Sequence, residues 1–164
     1  MNRYGLGEIQ DIVAVGAGPA TLVLLRDAEL AGLRAVAIDK GPVCAALVKH
    51  PTYMRWFSTA ENLALPGLPL LVNEKNPTRR EYLKYCRAYA RHFRLKVVAY
   101  HEVSDVERDE DGIFRVRARD MFDREYEWRA RNVVVGTGFY DNPRPLNVPG
   151  ENLPKVTHRY LEAH

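Results

Sequence analysis

Apolar and polar positions along this chain fall into two periods, and their order predicts an architecture. Ile12 to Val15 and Ala35 to Ile38 are short, almost wholly apolar runs, as parallel strands covered on both faces should be. Between them, about Pro19 to Ala31 carries apolar residues at helical spacing and ends at Gly32. Residues 40 to 76 are loop-rich, with prolines breaking any long helix. Thr78-Arg-Arg-Glu81 reads as a capping box opening a helix to about His92, with Tyr82, Tyr85, Cys86, Tyr89 and Phe93 on its apolar stripe. Leu95 to Ala99 is a third strand. The period then switches to two: Phe114, Val116 and Ala118 alternate on one face, matched by Tyr126, Trp128 and Ala130. Turns at Asp109 to Gly112 and Asp120 to Asp123 make this a β-meander. Asn132 to Val135 is expected to return as a buried strand. The predicted fold is α/β and Rossmann-like, a parallel sheet with helices plus a meander.

The first strand leads into Gly16-Ala17-Gly18-Pro19-Ala20, and the second ends at Asp39-Lys40. Strand, glycine turn, helix, strand and acid is the order of a dinucleotide-binding βαβ unit. Gly16 allows the sharp turn, Gly18 lets a pyrophosphate approach the backbone, and the first helical amides face that anion. Asp39 is placed to accept ribose hydroxyls. The third glycine position holds Thr21, whose side chain is expected to loosen the contact between helix and strand. Gly136-Thr137-Gly138, closing the last strand, is a second place for a ligand to approach backbone.

Length suits one domain, and a net charge of +3 is too small and too evenly spread to argue for nucleic acid. Arg79, Arg80, Lys84, Arg87, Arg91 and Arg94 read as a solvated helix face, since no aromatics interleave with them. No apolar run approaches a membrane span, and the first residues lack the apolar core of a secretory signal, so the cytoplasm is the expected compartment. Cys44 and Cys86 are far apart in sequence and suit neither a zinc site nor a dithiol centre. His50-Pro-Thr-Tyr-Met-Arg-Trp-Phe-Ser-Thr59 has the make-up of a wall against a flat ring, or equally of a loop tucking aromatics into the core. His50 is expected to be structural.

Together these residues resemble the two-dinucleotide-binding-domain flavoproteins, in particular the thioredoxin-reductase-like group. The carriers are Gly16-Ala-Gly-Pro-Ala20 with Asp39, Gly136-Thr-Gly138, and Asn147-Val-Pro-Gly-Glu151. Within that group the match is best to the bacillithiol-disulfide-reductase-like branch, through His50-Pro-Thr52, Trp56-Phe-Ser58, Phe139-Tyr140-Asp141, Leu153-Pro-Lys155 and Glu162-Ala-His164. The resemblance implies an FAD-binding domain over residues 1–141, incomplete relative to the family, and a linker at 142–164 towards an absent NAD(P)H-binding domain. It implies pyrophosphate over Gly16, Gly18, Pro19 and Ala20, ribose at Asp39 and Lys40, flavin near Trp56, Phe57 and Ser58, and Gly136, Thr137 and Gly138 close to the cofactor. That branch often has a cysteine where this chain has Ala20, so no cysteine is carried over as catalytic.

The implied function is the FAD-binding portion of an NAD(P)H-dependent oxidoreductase, with NADH or NADPH as hydride source in the complete enzyme. A flavin monooxygenase or ferredoxin–NADP reductase fragment is the alternative within the enzyme class. A truncated, non-catalytic nucleotide-binding or structural module is the alternative outside it. An incomplete flavoprotein should expose apolar surface around Val133 to Tyr140, which predicts self-association, as in a homodimer.

Overall fold

The computed structural model describes residues 6–141, 143–160 and 162. Asn142, at the start of the expected linker, and Ala163 and His164, at its end, lie outside the described residues. β1 (Ile9–Val15) leads into α1 (Pro19–Leu30), followed by β2 (Ala35–Asp39), α2 (Ala45–Val48), α3 (Ala60–Leu63) and α4 (Arg79–His92). The strands β3 (Val97–Ala99), β4 (His101–Arg108), β5 (Phe114–Asp120) and β6 (Glu125–Val135) complete the order. All six strands form one sheet in the order β3-β2-β1-β6-β5-β4. β3, β2, β1 and β6 are parallel neighbours, and β6, β5 and β4 are the antiparallel meander.

The helices begin and end where local chemistry dictates. Pro19 opens α1, where a missing N–H costs nothing. Gly32, at φ +73°, closes it: its N–H bonds to the Glu29 carbonyl, and Leu33 N–H bonds to that of Ala28 at 2.8 Å. The capping box forms on α4, with Glu81 N–H on Thr78 Oγ1 and Thr78 N–H on the Glu81 carboxylate at 2.7 Å. The α4 tyrosines turn inward. Tyr85 and Tyr89 hydroxyls bond the carbonyls of Leu68 and Pro66, pinning the loop before the helix.

Strand alternation divides the core between the faces of the sheet. Ala14 and Ala37 pack under Leu25 of α1 on one side. Val13, Val36, Ile38 and Val98 meet Val116, Ala118, Trp128 and Ala130 on the other. This second face is covered by the meander, because the sheet curls until β4 packs near β2 despite their separation in strand order.

Two expectations need correction. The strands around Tyr126 to Ala130 and Asn132 to Val135 are one strand: β6 pairs with β5 through its first half and with β1 through its second. The same pairing extends β1 back to Ile9. The end of β6 is also not buried. Val135 is 75% exposed and Val134 is exposed too, since nothing among the described residues covers them.

The turn into β6 is organised by Asp120. Its carboxylate accepts from the amides of Phe122 and Arg124, from Arg124 Nε at 2.7 Å and from the Tyr126 hydroxyl. Burial acts to raise its pKa, but the Arg124 bond and the two amides outweigh burial and bring it down to about 2. A depressed carboxyl contributes stability that is full above its unfolded pKa of about 4 and is lost as pH falls through about 2. Thermal unfolding of D120N followed by circular dichroism should show a lower Tm than the parent at pH 7, with the two curves converging below pH about 2.

Candidate functional site

The ends of β1, β2 and β6 meet at a single point. Gly16 has φ +105°, and its N–H bonds to the Ile38 carbonyl at 2.7 Å. A Cβ on Gly16 would overlap the Gly136 carbonyl oxygen, so this position needs glycine for both conformation and space. Gly136 N–H bonds to the Val15 carbonyl at 2.8 Å. A Cβ on Gly136 would lie 2.5 Å from Thr21 Oγ1. Thr21 therefore does not loosen the contact between helix and strand, as its position in the motif led us to expect. It is 3% exposed and packs into the space that Gly136 leaves. Around Gly18 a Cβ would meet nothing within 4 Å, so the backbone at the start of α1 is open to an approaching anion. Pro19 follows half-buried and Ala20 exposed on that first turn.

Asp39 turns its carboxylate inward across this turn, accepting from Ala17 N–H and Gly41 N–H, both at 2.7 Å. Two bonds leave free lone pairs on a carboxylate, enough for ribose hydroxyls. The next residue, Lys40, reaches Asp141 at 3.3 Å, joined there by Lys49 at 2.6 Å and Arg159 at 3.6 Å. The Lys49 bond first, then Lys40, holds the Asp141 carboxyl below the usual carboxylate range against the effect of burial. Three cations on one carboxylate leave an excess of positive charge beside Asp39. Thr137 and Gly138 are exposed beyond the end of β6.

Side chains tie the 50–58 loop to this edge. His50 stacks on Tyr140 with centroids 4.2 Å apart and planes 13° off parallel. Its Nδ1 lies 2.8 Å from the Ala46 carbonyl, tying the ring to α2. Trp56 lies 5.5 Å from His50 and packs edge-on against Tyr82. Asn76 donates to the carbonyls of Trp56, Phe57 and Ser58, fixing the backbone of the motif. The loop divides by residue: Trp56 packs against the core, whereas Phe57 is 96% exposed and Ser58 is exposed beside it.

The cysteines, far apart in sequence, come together in the fold. Cys44 opens α2 in a left-handed conformation, φ 58°, with its N–H on the Ala17 carbonyl at 3.0 Å. Its side chain lies in the same buried cluster as that of Cys86 on α4, so the two meet in the core as free thiols. The Cys86 contact, followed by burial, pushes the Cys44 thiol well above its ordinary range. Sequence reasoning did not place Tyr140 and Asp141 among the site residues, although they lie only two and three positions after Gly138. A cavity of about 360 Å³, lined by Pro51, Tyr53, Met54, Arg55, Tyr160 and Glu162, includes none of the expected cofactor residues. Among the described residues no cluster of His, Cys, Asp and Glu is placed to hold a metal ion, and no helix is long and apolar enough to cross a membrane.

A parallel sheet with this glycine turn, an acid at the end of the second strand and a meander after the third defines a dinucleotide-binding domain. Comparison with known proteins narrows the class. The chain belongs to the pyridine nucleotide-disulphide oxidoreductase family, whose model matches residues 13–164. Bacilliredoxin reductase Bdr of Bacillus subtilis is 28% identical over 93% of this chain and 45% of its own length. The structure of bacillithiol disulfide reductase Bdr from Bacillus cereus superposes with a TM-score of 0.91 at 30% identity, over 96% of this chain and 48% of that one. The cadaverine monooxygenase DfoA of Erwinia amylovora, solved with FAD bound, gives a TM-score of 0.66 at 25% identity, over 80% of this chain and 36% of that one. The chain thus spans less than half the length of these relatives.

Two measurements test the geometry. G136A should destabilise the protein by about 1–3 kcal/mol through overpacking against Thr21. T21A/G136A should recover much of that loss, a coupling of about 0.5–3 kcal/mol in a double-mutant cycle read by urea unfolding. Ellman's reagent should leave Cys44 and Cys86 unmodified in the folded protein and react with both in denaturant.

Proposed function

We propose that this chain is the FAD-binding portion of an NAD(P)H-dependent flavoprotein oxidoreductase of the disulfide-reductase type. The observation that carries the proposal is the open backbone at Gly18, set between the Gly16–Gly136 contact and the Asp39 carboxylate. The residues present fit the cofactor. Gly16, Gly18, Pro19 and Ala20 would hold its pyrophosphate, which the first amides of α1 face. Asp39 would accept the adenosine ribose hydroxyls while its two amide bonds hold it in place. Lys40 and Lys49 would offset the phosphate charge. Trp56, Phe57 and Ser58 would line the flavin, and Gly136, Thr137 and Gly138 would let it approach the strand end. FAD when bound supplies two-electron redox chemistry; the protein positions the ring and limits solvent.

Residues 1–141 are then the N-terminal segment of the FAD domain, and 142–164 the linker towards an NAD(P)H-binding domain. Two buried free thiols support a reducing compartment, the cytoplasm. Exposed Phe57, Val135 and Phe139 support self-association as a homodimer, which sedimentation would read as a second species.

The similarity to an FAD-bound monooxygenase favours one second reading, in which the reduced flavin passes its electrons to oxygen. Ala20 at the glycine turn agrees with it, since no thiol stands there to relay electrons.

Titration of the purified chain with FAD, followed by flavin fluorescence, should saturate and be reversed by ADP. D39A should weaken binding about tenfold or more, because it removes a charge-assisted partner for the ribose. Absence of saturable FAD binding by the parent chain would overturn the proposal for these residues.

A further inference from the structure

The outer face of α4 carries a second feature unrelated to the glycine turn. Arg80, Lys84, Arg87 and Arg91 follow at intervals of four, three and four, which aligns them along one side of the helix over about 16 Å. Among the described residues none of the four has a carboxylate within ion-pair distance. Many arginines elsewhere are paired instead. Arg115, Arg117, Arg119, Arg129 and Arg131 of the meander each reach an acid, and so do Arg26, Arg34 and Arg55. The one acid of α4, Glu81, is occupied in the capping box. Like charges at these spacings repel, so apart from Arg91, which complements the C-terminal end of the helix, the stripe opposes helix formation. Between the cations lies a shallow groove of about 350 Å³, floored by Leu83.

We propose that this face docks an acidic protein segment, whose carboxylates pair with the four cations and which sets one apolar side chain on Leu83. Charge complementarity selects an anionic occupant, and the surrounding chemistry selects protein over nucleic acid. Single-stranded nucleic acid is held by stacking its bases on exposed rings, yet Tyr82, Tyr85 and Tyr89 are all turned into the core. The apolar floor instead suits an aliphatic anchor in a segment of carboxylates. The proposal does not depend on FAD binding.

The test is fluorescence anisotropy on the intact chain at low salt. The probe is a labelled peptide of about 12 glutamates with one central leucine, and the rival is single-stranded DNA of similar charge. R80Q/K84Q/R87Q/R91Q should weaken peptide binding at least about tenfold, and replacing the peptide's leucine by glycine about threefold. R115Q/R119Q/R129Q/R131Q, which removes four positive charges from the meander instead, should leave binding within about twofold. The half-variants R80Q/K84Q and R87Q/R91Q keep the comparison readable if the fourfold change alters the circular dichroism spectrum; each should lose at least about threefold. Equal binding by the α4 variants, an equal loss in the meander variant, or tighter binding of DNA than of peptide would each overturn the proposal.

Discussion

The fold depends on one steric constraint: at the end of β1 two strand ends and a helix meet where only the Thr21 side chain has room. Gly16 has no room because of the Gly136 carbonyl, and Gly136 has none because of Thr21. This contact sets β1 and β6 level at their C-terminal ends, as their register from Ile9↔Arg129 to Val15↔Val135 requires. It also draws α1 onto the sheet at its first turn, so that the amides of that turn face outward at the place where three strands stop. A glycine motif normally achieves this packing with its own third glycine. Here the small residue stands on the neighbouring strand instead, and the helix carries the larger one.

Around that rigid centre, the rest of the candidate site is assembled by side chains on irregular backbone. Asn76 gathers three carbonyls of the 56–58 loop, and the His50–Tyr140 stack links that loop to the segment after β6. Asp141 draws Lys40, Lys49 and Arg159 together. Each of these contacts is partly open to water, where a single ion pair contributes little. Their effect is positional. They hold the 50–58 loop, the segment after β6 and the cations on Asp141 together in one arrangement.

What could be read in the sequence was local. The apolar strands around Val13 and Val36, the turn at Gly16, the capping box at Thr78 and the alternation through Val116 and Trp128 are patterns within a few residues, and each forms. What could not be read joins residues distant in the chain. Thr21 looks like a defect until Gly136 is placed beside it. Cys44 and Cys86 show no motif spacing, and only the packing of α2 on α4 makes them neighbours. β6 reads as two strands because its pattern changes at Asn132, yet the change marks the handover from one partner strand to another. The apolar end of β6 reads as buried because composition cannot tell which neighbour is present. Of the candidate site, the glycines and Asp39 were legible from motif order, whereas Tyr140 and Asp141 became recognisable only through what they touch.

The ladder between β1 and β6 joins residues 120 positions apart at every register pair. Contacts so distant are closed late, since the chain between them must first lose its freedom. β1, β2 and β3 can associate over much shorter spans, and the meander hairpins over shorter ones still. On a ribosome the consequence is asymmetric: the turn at Gly16 leaves early but has nothing to lean on until Gly136 has been made. The end of this domain that carries the glycine turn is thus among the first parts synthesised and among the last to acquire its shape.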